Sequence, residues 1–178
     1  MSRIPAKIAC WVLALLVCSC GWAQREPRRE ALHPSEIDQL RDAAMDPEQR
    51  LKVFIQFERA RLTSVEQIRA DPKVKDRVQQ THDLLQDFLD IYDELNENIE
   101  NFIQRQEDMR RPLKAVIAAD AEFQSRLSAL RTSSAAAKED AKLPEFLLTT
   151  AISTVDASDQ DHHQLLHEQE EAAKHKKH

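Results

Sequence analysis

The feature that most constrains the fold is an uninterrupted heptad pattern in the middle of the chain. Residues recur there at alternating steps of four and three over 17 positions, of which fourteen are apolar or tyrosine. A repeat of 3.5 residues over this length is typical of a helix that packs along a left-handed seam. The sequence therefore predicts an all-α fold, an elongated antiparallel bundle resembling a coiled coil. The seam positions are Val74, Val78, Thr81, Leu85, Phe88, Tyr92, Leu95, Ile99, Phe102, Gln106, Met109, Leu113, Val116, Asp120, Phe123, Leu127 and Leu130.

Pro112 lies inside this seam. A proline in a helix interior removes one backbone hydrogen bond and clashes with the carbonyl four residues before it. A loop would ordinarily shift the heptad phase, but Met109, Leu113 and Val116 stay in step. We therefore predict one helix over about 72–131, kinked at Pro112 and roughly 90 Å long, in preference to two separate helices.

Proline also marks the helix before the seam. Asp46 followed by Pro47 is a strong start signal, because the aspartate can cap free amides and a proline at the first position loses no hydrogen bond. Asp71 and Pro72 repeat the device, which predicts a helix at 47–70 joined tightly to the long one.

The rest of the chain after residue 23 is assigned from weaker signals. Ser35 with Asp38 resembles a capping box, and a second, more polar heptad pattern follows the long helix. A helical domain over 35–173 is thus predicted, with the last helix antiparallel to the long one. The segments are a flexible N-terminal arm (24–34), a helix at about 35–45, a linker (132–143), a helix at about 144–173 and a basic tail (174–178).

Glycine, cysteine and tryptophan occur only near the start of the chain. The single glycine is Gly21, and all three cysteines and both tryptophans lie within the first 22 residues. The rest of the chain therefore lacks a glycine-rich phosphate loop and Asn-Gly hairpin turns. It also lacks a cysteine ligand for zinc and a cysteine nucleophile.

Residues 1–23 have the pattern of a secretory signal peptide. Arg3 and Lys7 precede an uncharged apolar stretch of ten residues, which is short for a membrane span. Small residues before Gln24 suit cleavage after Ala23, whereas Cys20 fits a loose lipobox as the lipidated residue. We predict an exported protein, periplasmic or secreted, with lipid anchoring at Cys20 in the envelope as the alternative and no transmembrane span after cleavage.

The charge balance disfavours two kinds of partner. Loss of Arg3 and Lys7 changes the formal net charge from −6 to −8. An acidic chain is a poor ligand for nucleic acid, because phosphate binding requires basic groups. The same sign disfavours docking on anionic lipid.

Histidines near the C-terminus are the weak metal-site candidates. His162, His163 and His167 lie on one predicted helix, with Asp159 three residues before the first. Such spacing can place ligands on one helix face, but a site also needs facing ligands from other helices. Solvated histidines are the preferred interpretation, so no metal or cofactor is predicted.

Other polar features have equally plain interpretations. Gln106 and Asp120 are polar seam residues, and each is either a local register device, a solvent gap, a hinge or a partner site. His82 next to Asp83 is not read as a catalytic dyad, since helix neighbours point in different directions. A solvated face is predicted for the acidic run Asp83, Asp87, Asp90, Asp93, Glu94, Glu97 and Glu100.

One segment resembles a known motif. Leu62-Thr63-Ser64-Val65-Glu66-Gln67 is similar to the LTxxQ motif of small periplasmic helical stress chaperones, except that glutamate stands at the position of the motif glutamine. The resemblance covers six residues and implies binding of unfolded client proteins. Thr63 with Glu66 is alternatively a capping box at a break in this helix.

These observations favour a non-enzymatic function. The leading hypothesis is an exported helical scaffold that binds a protein partner or itself through helical surfaces. Self-association is expected because the long helix extends past its shorter partners. The alternatives are a periplasmic chaperone-like stress protein and a metal-binding protein that uses the C-terminal histidines.

Overall fold

The computed structural model describes residues 30–135 and 142–175, and it confirms the all-α prediction. Within these ranges lie the helices α1 (Pro34–Asp42), α2 (Pro47–Ala70), α3 (Arg77–Gln104), α4 (Arg110–Ala135) and α5 (Lys142–His175). None of the described helices is long and apolar enough to cross a membrane. The predicted signal segment, with Cys20, lies outside the described residues, as do 24–29, 136–141 and 176–178.

The start of α2 forms as predicted, whereas the start of α1 differs. Asp46 caps α2 by accepting hydrogen bonds from the amides of Glu48 and Gln49. In α1, the backbone amide of His33 donates to Glu36 at 2.8 Å, so the capping pair is not Ser35 and Asp38. The interpretation of residues 24–34 as a flexible arm is also wrong at its end, because Ala31 and Leu32 are buried in the core.

The prediction of one long helix kinked at Pro112 is wrong. The chain turns between α3 and α4 at residues 105–109, where Gln106 adopts a left-handed backbone with φ 62°. Pro112 is the third residue of α4, a position whose amide has no partner within the helix anyway. The heptad phase persists because both helices direct their apolar stripe into one shared core. Phase continuity therefore does not distinguish a hairpin from a continuous helix.

The predicted start at Pro72 is wrong as well. Asp71 accepts a hydrogen bond from the amide of Lys73 at 2.9 Å and holds a turn in place of a helix. α3 begins only at Arg77, after Asp76 in a left-handed conformation with φ 52°. The first two seam positions consequently lie outside the core. Fourteen of the seventeen seam residues are buried, and the exceptions are Val74, Val78 and Gln106.

Helices α2 to α5 form a four-helix bundle. Arg59 pairs with Glu122 at 2.8 Å and Arg126 with Glu66 at 2.8 Å, so residue numbers rise together along α2 and α4, which are parallel neighbours. The chain reverses between consecutive helices, and α3 and α5 form the second parallel pair of neighbours. α3 and α4 lie diagonally and meet through side chains across the centre.

Aromatic rings fill the centre of the bundle. Phe88 of α3 meets Phe123 of α4 edge to face at 5.5 Å, and Tyr92 lies 5.9 Å from Phe88. All three rings are fully buried. The seam is thus folded onto itself, which removes the overlong helix on which the expectation of self-association was based.

Glycine substitutions at two glutamines distinguish the turn from a continuous helix. We expect Gln106→Gly to stabilise the protein by up to about 1 kcal/mol, because glycine adopts positive φ without the steric cost that glutamine bears there. Gln104→Gly, at the end of α3, should instead destabilise it by roughly 0.5–1 kcal/mol. Urea unfolding measures both, and equal destabilisation by the two substitutions would contradict the turn.

Candidate functional site

Four polar side chains are buried within the apolar core, one from each bundle helix. They are Glu58 of α2, Tyr92 of α3, Asp120 of α4 and His162 of α5, and we call them the central polar layer. Glu58, Tyr92 and Asp120 are 0% exposed and His162 is 3% exposed. Burial of polar groups costs free energy unless they are hydrogen-bonded, so each requires a physical explanation.

Asp120 is the hub of the layer. The Tyr92 hydroxyl donates to its Oδ1 at 2.7 Å, and His162 Nδ1 lies 2.8 Å from its Oδ2. On the other side of the imidazole, Nε2 lies 3.0 Å from Oδ1 of Asn96, whose amide donates to Ser158 at 3.1 Å. Asn96 and Ser158 are only half-buried, so this chain of polar contacts leads from the core towards the surface.

The electrostatics of the layer centre on one carboxylate. Burial, and then the neighbouring charge of Asp120, raise the pKa of Tyr92 far above its usual range. The raised pKa favours the protonated hydroxyl that donates to Asp120. Because Asp120 accepts from two sides, its charge is held in a fixed position.

Glu58 differs from the other members of the layer. Neither of its carboxyl oxygens has a hydrogen-bond partner, although both are buried. Burial, together with the charge of Asp120, raises its pKa well above the ordinary value of 4.5. An ionised carboxylate without donors is very costly in such surroundings, so the buried position favours the protonated, neutral form of Glu58.

Sequence reasoning missed Glu58, although its spacing carried a signal. The apolar stripe of α2 contains Leu51, Phe54, Leu62 and Val65, which leaves a gap of two helical turns. Glu58 lies four residues from both sides of that gap, and it is the position that completes the stripe.

The predicted histidine group is divided between core and surface. His162 is buried in the central polar layer, so its interpretation as a solvated side chain is wrong. His163 is exposed, with its Nε2 3.7 Å from Asp159, and His167 is exposed as well. Among residues 30–135 and 142–175, no three histidine, cysteine or acidic side chains are placed to hold a metal ion.

The two polar seam residues lie in different environments. Asp120 is the hub of the buried layer, where its partners come from α3 and α5. Gln106 is an exposed residue of the turn between α3 and α4. Of the two, only Asp120 lies in the core.

A second buried polar group attaches α1 to the bundle. Arg61 binds Glu36 with two hydrogen bonds of 2.9 and 2.6 Å, and it donates a third to the carbonyl of Ala31 at 2.8 Å. Asp87 lies 3.9 Å from Arg61 Nε and is buried. The prediction of a solvated face for the whole acidic run is therefore wrong at Asp87.

The remaining sequence features are the segment that resembles the chaperone motif and the pair His82 and Asp83. α2 is continuous through the six residues that resemble the chaperone motif, so Thr63 and Glu66 do not cap a helix break. Leu62 and Val65 are fully buried in the core, and the Thr63 hydroxyl donates to the carbonyl of Arg59. His82 Nδ1 lies 3.2 Å from Asp83, and both side chains are partly exposed.

Charge is segregated between the two parallel helix pairs. α3 and α5, which we call the acidic pair, carry fourteen acidic and three basic residues. α2 and α4, the basic pair, carry five acidic and ten basic residues. The two pairs lie on opposite sides of the bundle, so the molecule has a strongly negative side and a moderately positive one.

One open cleft lies at the end of the bundle, between the start of α4 and the end of α5. It has a volume of about 540 Å³ and contains basic groups already paired with acids, for example Lys114 with Glu170 at 2.9 Å. The cleft does not include any member of the central polar layer. Its lining residues are Asp108, Arg110, Arg111, Lys114, Glu170, Ala173 and Lys174.

Comparisons with protein families, curated proteins and solved structures found no match to this chain. Functional inference therefore depends on the residues themselves: the central polar layer, the buried pair of Arg61 and Glu36, and the segregated surface charge.

Proposed function

We propose that this chain is an exported, non-enzymatic interaction protein that binds a cationic protein segment on its acidic helix pair. Export is supported by the signal-like pattern of residues 1–23. A non-enzymatic role is supported by the central polar layer, whose side chains are at most 3% exposed and thus out of reach of a substrate.

The observation that carries the proposal is the charge of the acidic pair. α3 and α5 are neighbours, and their fourteen acidic residues outnumber their three basic ones even though Arg61 and Lys114 of the basic pair contact Asp87 and Glu170. Like charges held side by side destabilise a compact fold through repulsion. A cationic partner relieves this repulsion, and complementary charge accelerates its association and selects its orientation.

The acids of the two helices share a level of the bundle. The contact between Asn96 and Ser158 places the flanking turns of α3 and α5 side by side. Exposed acids occur in these turns on both helices, which gives a partner several simultaneous contacts. They include Asp93, Glu97, Asp156 and Asp161.

The sign of the charge also discriminates among partners. Nucleic acid and anionic lipid are repelled by the acidic pair. A second copy fits less well than a separate cationic chain, because cations of the basic pair are already engaged. Arg59 and Arg126, for example, are bound to Glu122 and Glu66 within the same molecule.

Neutralising four acids on the acidic pair tests the proposal. We expect the variant Asp93→Asn/Glu97→Gln/Asp156→Asn/Asp161→Asn to bind a fluorescent ten-residue lysine-rich peptide at least about tenfold more weakly, a change of roughly 1.4 kcal/mol. Fluorescence anisotropy at several salt concentrations measures this, and binding of the unmodified chain should weaken as salt rises.

A matched variant controls for net charge. Asp38→Asn, Asp42→Asn, Asp76→Asn and Glu107→Gln remove four negative charges outside the acidic pair. This variant should lose less than about twofold in affinity, since screened charges distant from the binding surface contribute little. Equal weakening by the two variants would show that only net charge matters and would refute a docking surface on α3 and α5.

Site-specific photocrosslinking locates the natural partner in a bacterium that exports the chain. A crosslinking side chain at Glu97 or Asp161 should yield a discrete adduct with a basic polypeptide, whereas one at Lys52, on α2, should not. An adduct with a second copy of this chain, or adducts from Lys52 alone, would contradict the assignment.

A further inference from the structure

We propose that the central polar layer is a proton-operated switch, which stabilises the bundle while Glu58 is protonated and loosens it as rising pH removes that proton. The switch does not require the partner proposed above. It depends on the unequal hydrogen bonding of the two buried carboxyl groups: Asp120 has two partners, whereas both oxygens of Glu58 have none.

Each bundle helix contributes a group that bears on the charge of Glu58. Tyr92 from α3 is neutral, and its hydroxyl is directed to Asp120. Asp120 from α4 opposes ionisation of Glu58, and Arg59 on α2 favours it only weakly, since it is half-exposed and bound to Glu122. His162 from α5 is directed to Asp120. No group of the layer thus offers an ionised Glu58 a hydrogen bond.

His162, by contrast, has hydrogen-bond partners for both ring nitrogens in either orientation of the Asn96 amide. Both of its ring nitrogens face oxygen atoms, an arrangement that a doubly protonated imidazole satisfies. If the ring is neutral, rotation of the Asn96 amide lets its NH2 group donate to Nε2, and the Ser158 hydroxyl then donates to the Asn96 oxygen. Glu58 has no such alternative, and it is therefore the group that switches the bundle.

The direction of the pH effect follows from linkage. The pKa of Glu58 is raised in the folded state by burial and by the Asp120 charge, relative to 4.5 in an exposed chain. Its stabilising contribution is therefore complete below pH 4.5 and is lost as pH rises through the folded pKa. Within that window the unfolding equilibrium constant increases tenfold for each pH unit, as required for release of one proton.

The position of Glu58 couples this proton to the whole bundle. The layer joins α2, α3, α4 and α5 at one level, so a second negative charge there weakens the packing of every helix against the others. Loosening at this level also separates α3 from α5, because Asn96 and Ser158 connect the layer to both helices of the acidic pair.

Urea unfolding between pH 5 and pH 9 tests the switch. We expect Glu58→Gln, which retains the shape of the protonated acid, to remove the alkaline loss of stability. The ratio of the unfolding constants of the unmodified chain and this variant should rise by up to tenfold per pH unit. Glu97→Gln, an exposed neutralisation on α3, should leave the ratio constant. A constant ratio for Glu58→Gln would overturn the switch.

Infrared spectroscopy of the unmodified chain keeps the test valid if Glu58→Gln fails to fold. With glutamate carboxyl groups isotopically labelled, we expect a protonated-acid carbonyl band in the folded protein at pH 6, where exposed glutamates are ionised. The band should disappear as pH rises, together with faster hydrogen exchange of amides near Tyr92. Absence of the band at pH 6, or its loss without faster exchange, would refute the proposal.

Discussion

Replacing Arg61 by alanine is expected to destabilise the protein by about 3–5 kcal/mol, because the substitution leaves the buried Glu36 without its counter-ion and removes the cation that lies 3.9 Å from Asp87. Arg61 is 6% exposed and binds Glu36 with two parallel hydrogen bonds. It also holds the carbonyl of Ala31, so its loss should release α1 from the bundle. Urea unfolding measures the free energy, and hydrogen exchange of residues 34–42 measures the release.

Arg59→Ala is the matched control on the same helix. Arg59 is half-exposed, and its pair with Glu122 is a surface contact that contributes at most about 1 kcal/mol. Similar losses of stability for the two arginine substitutions would contradict the buried role of Arg61.

Burial opposes ionisation of Glu36, but Arg61 and the amide of His33 outweigh it and lower the pKa of Glu36. The stability that Glu36 confers is therefore present above pH 4.5 and lost as pH falls through its folded pKa.

Replacing His162 by alanine is expected to cost about 3–5 kcal/mol as well. The substitution leaves Asp120 with one donor, Tyr92, in a fully buried position and opens a cavity in the core. Asn96 also loses its partner inside the bundle. Thermal and urea unfolding measure the loss, and the near-ultraviolet circular dichroism of Tyr92 reports whether the core rearranges.

The neighbouring histidine provides the control. His163 is 60% exposed at its side chain, and its 3.7 Å contact with Asp159 is a surface pair, so His163→Ala should change stability by less than about 0.5 kcal/mol. If His162→Ala were equally mild, Asp120 would have to be neutral or hydrated, and the hub arrangement would be wrong. Asp120→Asn combined with His162→Ala should show strong non-additivity, because the two side chains are in contact.

The residues that face the core were largely predictable. A helix presents every third or fourth residue on one face. This local rule assigned seventeen residues to the seam, and fourteen of them are buried. The start of α2 was also predictable, because its signals are local. Asp46 binds amides within one turn of itself, and Pro47 stands at a first position where no helical hydrogen bond is lost.

The break between α3 and α4 was not predictable from periodicity. A helix that continues and one that reverses into the same core require the same apolar stripe. The heptad phase at Met109 and Leu113 therefore does not distinguish a continuous helix from a hairpin. Pro112 was the better signal, because a proline is as acceptable in the first turn of a new helix as it is costly inside a long one.

The candidate site was likewise predictable only in part. Asp120 and His162, like Glu58, are each one polar residue on the buried stripe of a helix, and nothing within a helix distinguishes a buried member that has hydrogen-bond partners from one that has none. The difference arises from the side chains that other helices supply. Tyr92, Asn96 and Ser158 surround the imidazole and its carboxylate, and they are separated from these residues along the chain except for Ser158.

By itself, the sequence determined the all-α class, the apolar stripes and the acidic composition, because helix propensity, periodicity and charge are properties of residues and their near neighbours. Only the tertiary structure decided that the seam folds back on itself, that Glu58 is buried without a partner, and that the acidic helices α3 and α5 lie side by side. Those outcomes depend on which helix faces which, and this choice is made by packing between residues distant in the chain.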